Sequence, residues 1–174
     1  KLTTLEGDMT RPTSERAKEA IFSMIQFDIE GRRVLDLFAG SGQLGIEALS
    51  RGAKRAVFVE QDRKAVEVIR KNLNNCKLTQ EAEVYQDDVF RRITTLKANV
   101  QKFDIIYLDP PFTNDGIFLP VLEAVTGAGI LAENGEIAIR TRKEKEMPDT
   151  LNGFDRYKLK VYGQSAIHFY QRKE

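Results

Sequence analysis

The chain has 174 residues, one cysteine and one histidine, with 41% hydrophobic and 30% charged residues. That length suits one domain closing one core, and the composition is that of an ordinary globular protein with no apolar run long enough to span a bilayer. Neither an internal disulfide nor a zinc or Cys/His catalytic set can be assembled from Cys76 and His168 alone, so no metal is expected and a reducing cytoplasm is the expected location. With 27 Lys+Arg against 26 Asp+Glu the formal net charge is +1, which is no nucleic-acid signature. Arg11, Arg16, Lys18, Arg32 and Arg33 nevertheless make the first stretch locally basic, as a phosphate-binding face or simply a solvated surface.

Taken in chain order, Ala17, Ala20, Ile21, Met24 and Ile25 follow amphipathic helical spacing, with Pro12, Thr13 and Ser14 ahead as start signals. Val34 to Phe38 predicts a buried strand running into a glycine turn, and Leu44 to Arg51 a helix. A strand over Arg55 to Glu60, a helix over Arg63 to Asn75, a strand at Ala82 to Tyr85 and a short helix over Val89 to Leu96 follow. Phe103 to Leu108 is the most apolar strand candidate. Ile117 to Thr126 reads as helical and Glu136 to Thr141 as extended. Tyr157 to Tyr162 and Ala166 to Gln171, turning at Gly163 and Gln164, read as an antiparallel hairpin. Strands and helices therefore interleave as in an α/β, doubly wound, mostly parallel sheet.

The turn Asp36-Leu37-Phe38-Ala39-Gly40-Ser41-Gly42-Gln43-Leu44-Gly45 matches G-x-G-x-x-G between a predicted strand and helix. Such turns bring backbone and free helix N–H groups close to a ligand. Glu60 follows by about 20 residues, where a dinucleotide fold places the acid that binds ribose hydroxyls. NAD would satisfy these two features equally. Asp36 decides between them, since an anion beside a pyrophosphate is unfavourable, whereas the ammonium and sulfonium of S-adenosylmethionine would welcome it. Asp87-Asp88, after the third strand, lies where an acceptor for the adenine amino group is needed. Either aspartate can also serve as a helix N-cap.

Asp109-Pro110-Pro111-Phe112 follows the apolar strand and occupies the carboxyl end of a central strand, where such sheets bind ligands. The prolines stiffen the backbone, so the Asp109 carboxylate and Pro110 carbonyl form a fixed acceptor pair able to grip one amino group. A base's exocyclic amine is a poor nucleophile because its lone pair is delocalised. Two acceptors on its hydrogens favour the pyramidal nitrogen of the transition state. Phe112 is suited to stack on the base, worth about 1–3 kcal/mol, against the few kcal/mol that extruding a paired base costs. Alternatively, the prolines merely end a strand and Phe112 is core.

Asp36-Leu-Phe-Ala-Gly-Ser-Gly, Glu47-Ala-Leu-Ser-Arg-Gly-Ala, Glu60 and Asp109-Pro-Pro-Phe, with Arg11-Pro-Thr-Ser-Glu-Arg and Lys18-Glu-Ala-Ile-Phe, resemble the bacterial 16S ribosomal RNA guanine-N2 methyltransferase family specific for guanine 966. The resemblance covers nearly the whole chain. It implies a seven-stranded Rossmann-like methyltransferase sheet with a final hairpin, acting on 16S rRNA or the 30S subunit. Implied cofactor contacts run along the turn at Asp36, Phe38, Ala39, Gly40, Ser41, Gly42 and Gly45, at Glu60 and Gln61, and at Asp88 and Val89. Arg11 and Thr13, within a helical segment over residues 1–30, would lie over the cofactor cleft, and catalysis falls to Asp109, Pro110, Pro111 and Phe112.

Two departures stand out. The family's basic Arg-x-Ile-x-Gly segment would precede Lys1 and is absent from this sequence, which is expected to weaken substrate binding; Gln43 replaces a usual small residue, which is expected to alter the turn. Other expectations left open are another RNA or DNA substrate, a nicotinamide-dependent reductase and a non-catalytic RNA-binding assembly factor. His168 reads as surface or structural, and Cys76 as inert.

Overall fold

The computed structural model describes residues 15–24 and 27–174. The chain divides into two compact units, Lys1–Val89 and Phe90–Glu174. In the first, helix α1 (Glu15–Met24) precedes β1 (Arg33–Leu37), α2 (Gln43–Ser50), β2 (Arg55–Glu60), α3 (Arg63–Asn75) and β3 (Ala82–Gln86). These strands lie in the order β3-β2-β1, all parallel, with Leu37 opposite Val59 and Val59 opposite Tyr85. Val34, Leu35, Phe58 and Val59 are almost wholly buried, as expected of parallel strands covered on both faces.

Helix α3 is capped by Asp62, whose side chain accepts from the Ala65 amide at 2.9 Å, satisfying one of the donors a helix start leaves open. Val66, Ile69 and Leu73 bury one stripe of it, so the helical spacing in the sequence is the face that meets the sheet. The first strand stops one residue earlier than the sequence pattern suggests. Phe38 adopts φ +61°, a left-handed backbone that cannot continue a strand and that a bulky side chain rarely takes.

After α4 (Val89–Ala98), the second unit contains β4 (Phe103–Leu108), α5 (Phe118–Gly127), β5 (Leu131–Arg142), β6 (Thr150–Leu151), β7 (Phe154–Tyr162) and β8 (Ser165–Arg172). Its order is β4-β5-β8-β7-β6, parallel between β4 and β5 and antiparallel beyond. Phe103 and Ile105 to Leu108 are buried. β5 begins five residues before its expected start, and its register with β4 jumps from Phe103 opposite Leu131 to Ile105 opposite Glu136. The intervening Glu133-Asn134-Gly135, with Asn134 at φ +65°, bulges inside a continuing strand although its residues are those of a turn. The β7–β8 hairpin turns at Gly163, φ +54°, as expected. The described residues form eight strands rather than seven, the additional one being the two-residue β6. The α/β fold class is the expected one, and no described helix is long and apolar enough to cross a membrane.

His168 is a buried member of β8, 2% exposed. Arg156 Nη1 lies 3.0 Å from His168 Nδ1 and Thr141 Oγ1 lies 3.0 Å from Nε2. Because Arg can only donate, Nδ1 is the acceptor and Nε2–H donates to Thr141, whose hydroxyl donates to the Arg142 carbonyl at 2.9 Å. The histidine is structural.

Two predictions follow from this packing. A Cβ on Gly45 would stand 2.3 Å from the buried Phe58 ring, so Gly45→Ala should lower the urea-unfolding free energy by about 1–3 kcal/mol. Burial first, and then the Arg156 charge, push the His168 pKa from 6.5 down to about 4. The unfolded chain therefore binds the extra proton between those values, and stability should fall as pH drops from about 6.5 to about 4, by up to about 3 kcal/mol. Urea titrations across that range check this; a His168→Asn variant should show a flatter acid dependence.

Candidate functional site

The glycine turn of the first unit is sewn to its neighbours by backbone geometry and one carboxylate. Phe38, Gly40 and Gly42 have φ of +61°, +60° and +79°, which turns the chain sharply after β1 and into α2. Ala39 N–H donates to the Val59 carbonyl at 3.0 Å and Gly42 N–H to the Ala39 carbonyl at 2.8 Å. Glu60, at the end of β2, accepts from Gly40 N–H with Oε1 and from Asp62 N–H with Oε2, both at 2.8 Å. One side chain thereby fixes the turn after β1 and the start of α3. The Glu60 carbonyl also accepts from the Asp87 amide at 3.1 Å, which draws the end of β3 into the same arrangement.

Asp36 is 2% exposed, and its Oδ2 accepts from Gly45 N–H at 3.3 Å. Gly42, the residue at the N-cap of α2, has no side chain to offer, so the strand's aspartate supplies an acceptor for that helix start. Asp87 Oδ1 accepts from the Asp88 amide at 2.8 Å, and both aspartates are half-buried, as are Phe38, Ala39, Gly40 and Ser41; Val89 is buried and Gln61 exposed. Four carboxylates thus stand at or just beyond the carboxyl ends of three parallel strands. This set of anionic acceptors suits a ligand bearing an ammonium and hydroxyl groups and opposes a pyrophosphate.

Arg11 and Thr13 lie outside the described residues. Three contributors were not marked as site residues by sequence reasoning. Asn72, fully buried in α3, points its Nδ2 at the Ser41 carbonyl at 3.5 Å; a polar residue on the apolar stripe of an amphipathic helix was the available signal. Arg16 of α1, read in the sequence as part of a basic stretch and of the Arg11-Pro-Thr-Ser-Glu-Arg segment, donates to the Phe38 carbonyl at 3.4 Å and so bonds the turn itself. Gln43 begins α2, is 8% exposed, and its Oε1 is without a hydrogen-bond partner.

In the second unit, β4 delivers Asp109-Pro110-Pro111-Phe112. Asp109 is 5% exposed. Arg140 of β5 donates from Nη1 to Asp109 Oδ1 at 3.3 Å, and its guanidinium lies 4.7 Å from the centroid of the Phe112 ring. Phe112 in turn meets Phe118 edge-on, with centroids 5.8 Å apart and planes at 68°. Phe112 is half-buried rather than enclosed in the core. Beyond it, Asp115 is paired with Arg142 and, at 3.2 Å, with Lys145. Arg142 and then Lys145 hold its carboxyl below the ordinary value of 3.8. Arg140 and Arg142, two residues apart in a strand, share one face; they were not singled out because an arginine in a strand carries no motif of its own.

Among the described residues no group of His, Cys, Asp and Glu is arranged to hold a metal ion.

The family model described as "Conserved hypothetical protein 95" matches residues 1–171. The "Ribosomal RNA small subunit methyltransferase D" of Haemophilus influenzae (strain ATCC 51907 / DSM 11121 / KW20 / Rd) is 34% identical over 98% of this chain and 88% of its own length. Its namesake from Escherichia coli (strain K12) is 32% identical over 94% and 80%. A solved structure described as a conserved hypothetical protein of Streptococcus pyogenes superposes with a TM-score of 0.78 at 36% identity, covering 88% of this chain and 94% of that one.

If Glu60 organises the turn as described, Glu60→Ala leaves the Gly40 and Asp62 amides without their acceptor and should cost about 1–3 kcal/mol in urea unfolding. Glu60→Gln, which keeps one carbonyl acceptor, should cost less. Matched to these relatives over nearly its whole length, the chain belongs to the ribosomal RNA small subunit methyltransferase D family.

Proposed function

We propose that the chain transfers the methyl group of S-adenosylmethionine to the exocyclic N2 of a guanine in 16S rRNA of the small subunit, at the family's guanine 966. The observation that carries this reading is the buried Asp109 carboxylate held beside the half-buried Phe112 ring at the end of β4. The names of the relatives support the ribosomal substrate. A ribosomal substrate places the enzyme's work in the cytoplasm, and 16S rRNA or the 30S subunit is its partner.

When bound, S-adenosylmethionine supplies a methyl carbon activated by positive sulfur. The chain's residues do the rest. Asp36, the glycine turn from Phe38 to Gly45, Glu60, Gln61, Asp88 and Val89 form the cofactor side. A carboxylate has about four lone-pair positions, so Glu60 keeps capacity for ribose hydroxyls while bonding two amides. Asp109 and the Pro110 carbonyl accept the two amine hydrogens, which draws the nitrogen's lone pair out of the ring and aims it along one direction. Phe112 stacks on the base. The nitrogen's surplus proton leaves to Asp109 or to water.

The two sides should separate kinetically. Asp109→Ala should remove most turnover, about 100-fold or more, while leaving S-adenosylmethionine affinity within a few fold, because the residue acts on the nucleophile. Glu60→Ala should chiefly weaken the cofactor, by about tenfold or more. Labelled-methyl transfer and calorimetry on the same preparations check this, with unmodified 30S subunits, free 16S rRNA and DNA as parallel substrates. Full activity in Asp109→Ala, or transfer to DNA alone, contradicts the reading.

A further inference from the structure

Arg140 has a place in the chemistry that neither the motif nor the relatives' names assign. It emerges from β5, one strand over from the motif, and its side chain is only 11% exposed. Burying a guanidinium is costly unless it is paired, and among its partners here are two members of the motif. One is Asp109 Oδ1 at 3.3 Å. The other is the face of Phe112 at 4.7 Å; a planar, five-donor guanidinium can hold ring and carboxylate in one fixed relation, which the point charge of a lysine ammonium does less well. Phe112 also meets Phe118, itself fully buried, in a T-shaped contact.

We propose that Arg140 is a positioning residue that locks the hydrogen-bond acceptor and the stacking ring into one rigid unit, setting the distance and angle between them to match a single flat aminopurine. This rests on the reading of Asp109 and Phe112 as the base-holding pair.

A carboxylate turns about two side-chain bonds and a phenyl ring about two more, so neither alone defines where a base must lie. A planar cation in contact with both removes those freedoms together and leaves one relation between acceptor and ring. The loss of either contact should therefore be felt as misplacement, and misplacements of about 1 Å can cost about 100-fold in rate. Arg140 touches neither the amine nor the methyl in this scheme; it works through Asp109 and Phe112.

The test uses the full chain, unmodified 30S subunits and labelled S-adenosylmethionine. Arg140→Ala should lower the single-turnover rate by about 100-fold, with cofactor affinity unchanged within a few fold. Arg140→Lys, which keeps the charge, should recover no more than about threefold of that loss, and it carries the test if the alanine variant does not fold. In an Asp109→Ala background, Arg140→Ala should cost less than about threefold more, because the two act as a unit. Hydrogen exchange at the amides of Phe112, Thr113 and Asn114 needs no substrate. It should speed by about tenfold in Arg140→Ala and remain fast in Arg140→Lys.

Full rescue by lysine, additive losses in the double variant, or unchanged exchange would each overturn the proposal. If the wild-type chain transfers no methyl to the subunit, the functional reading fails on its own, and the exchange measurement still decides whether Arg140 orders the motif.

Discussion

The bond from Gly40 N–H to the Glu60 carboxylate holds together most of what the first unit can do. Three left-handed residues in five positions form a turn with little regular hydrogen bonding of its own. Without an outside acceptor its amides would be left to solvent. Glu60 stands where the parallel register of β1 and β2 brings the end of one strand level with the turn after the other. By accepting from Asp62 as well, it couples the turn to the first residues of α3. The capping of α2 by Asp36 follows the same logic, with a side chain from a strand doing what the glycine at the helix start cannot. The acids that would meet a ligand are thus the same acids that build the walls, which is why replacing them should disturb both stability and binding.

In the second unit the equivalent constraint is the Arg140 guanidinium between Asp109 and Phe112. Here too a charged group is retained in a nearly closed environment because it organises others. A buried ion pair is seldom the most stabilising choice for a site, and apolar replacements of similar volume often do as well. Retaining one at the carboxyl end of a strand, against an aromatic ring, is better explained by the geometry it imposes. The Asp115 cluster with Arg142 and Lys145 fastens the following loop to the same strand from its exposed side.

Much of this was legible in the residues. The Arg55–Glu60 and Phe103–Leu108 strands and the Arg63–Asn75 helix appear with the boundaries that their periodicity gives, because their apolar patterns coincide with burial and are closed by strong stop signals. The glycine turn and Asp109-Pro-Pro-Phe could be placed at strand ends for the same reason. Less legible were features set by partners distant in sequence. β5 extends beyond the Glu136 to Thr141 pattern because, although Glu133-Asn134-Gly135 has turn chemistry, pairing on either side carries the strand through a bulge. β6 is two residues long and exists only because β7 offers it an edge. Arg140 and Asn72 carry no local motif, and the segment that holds Arg16 does not say what it bonds; their roles appear only when strands and helices bring them to a carboxylate, a carbonyl or a ring. His168, ambiguous in sequence, is buried through Arg156 and Thr141, which lie 12 and 27 residues away.

The central claim is that the acceptor pair at Asp109 and Pro110 works on a guanine amine in small-subunit RNA. Its most direct test is to methylate 30S subunits from a strain lacking this enzyme, digest the 16S rRNA and identify the labelled nucleoside by mass spectrometry with its position in the chain. The account predicts a single N2-methylguanosine at guanine 966. Label on a ring nitrogen, on adenine N6 or on ribose would contradict it.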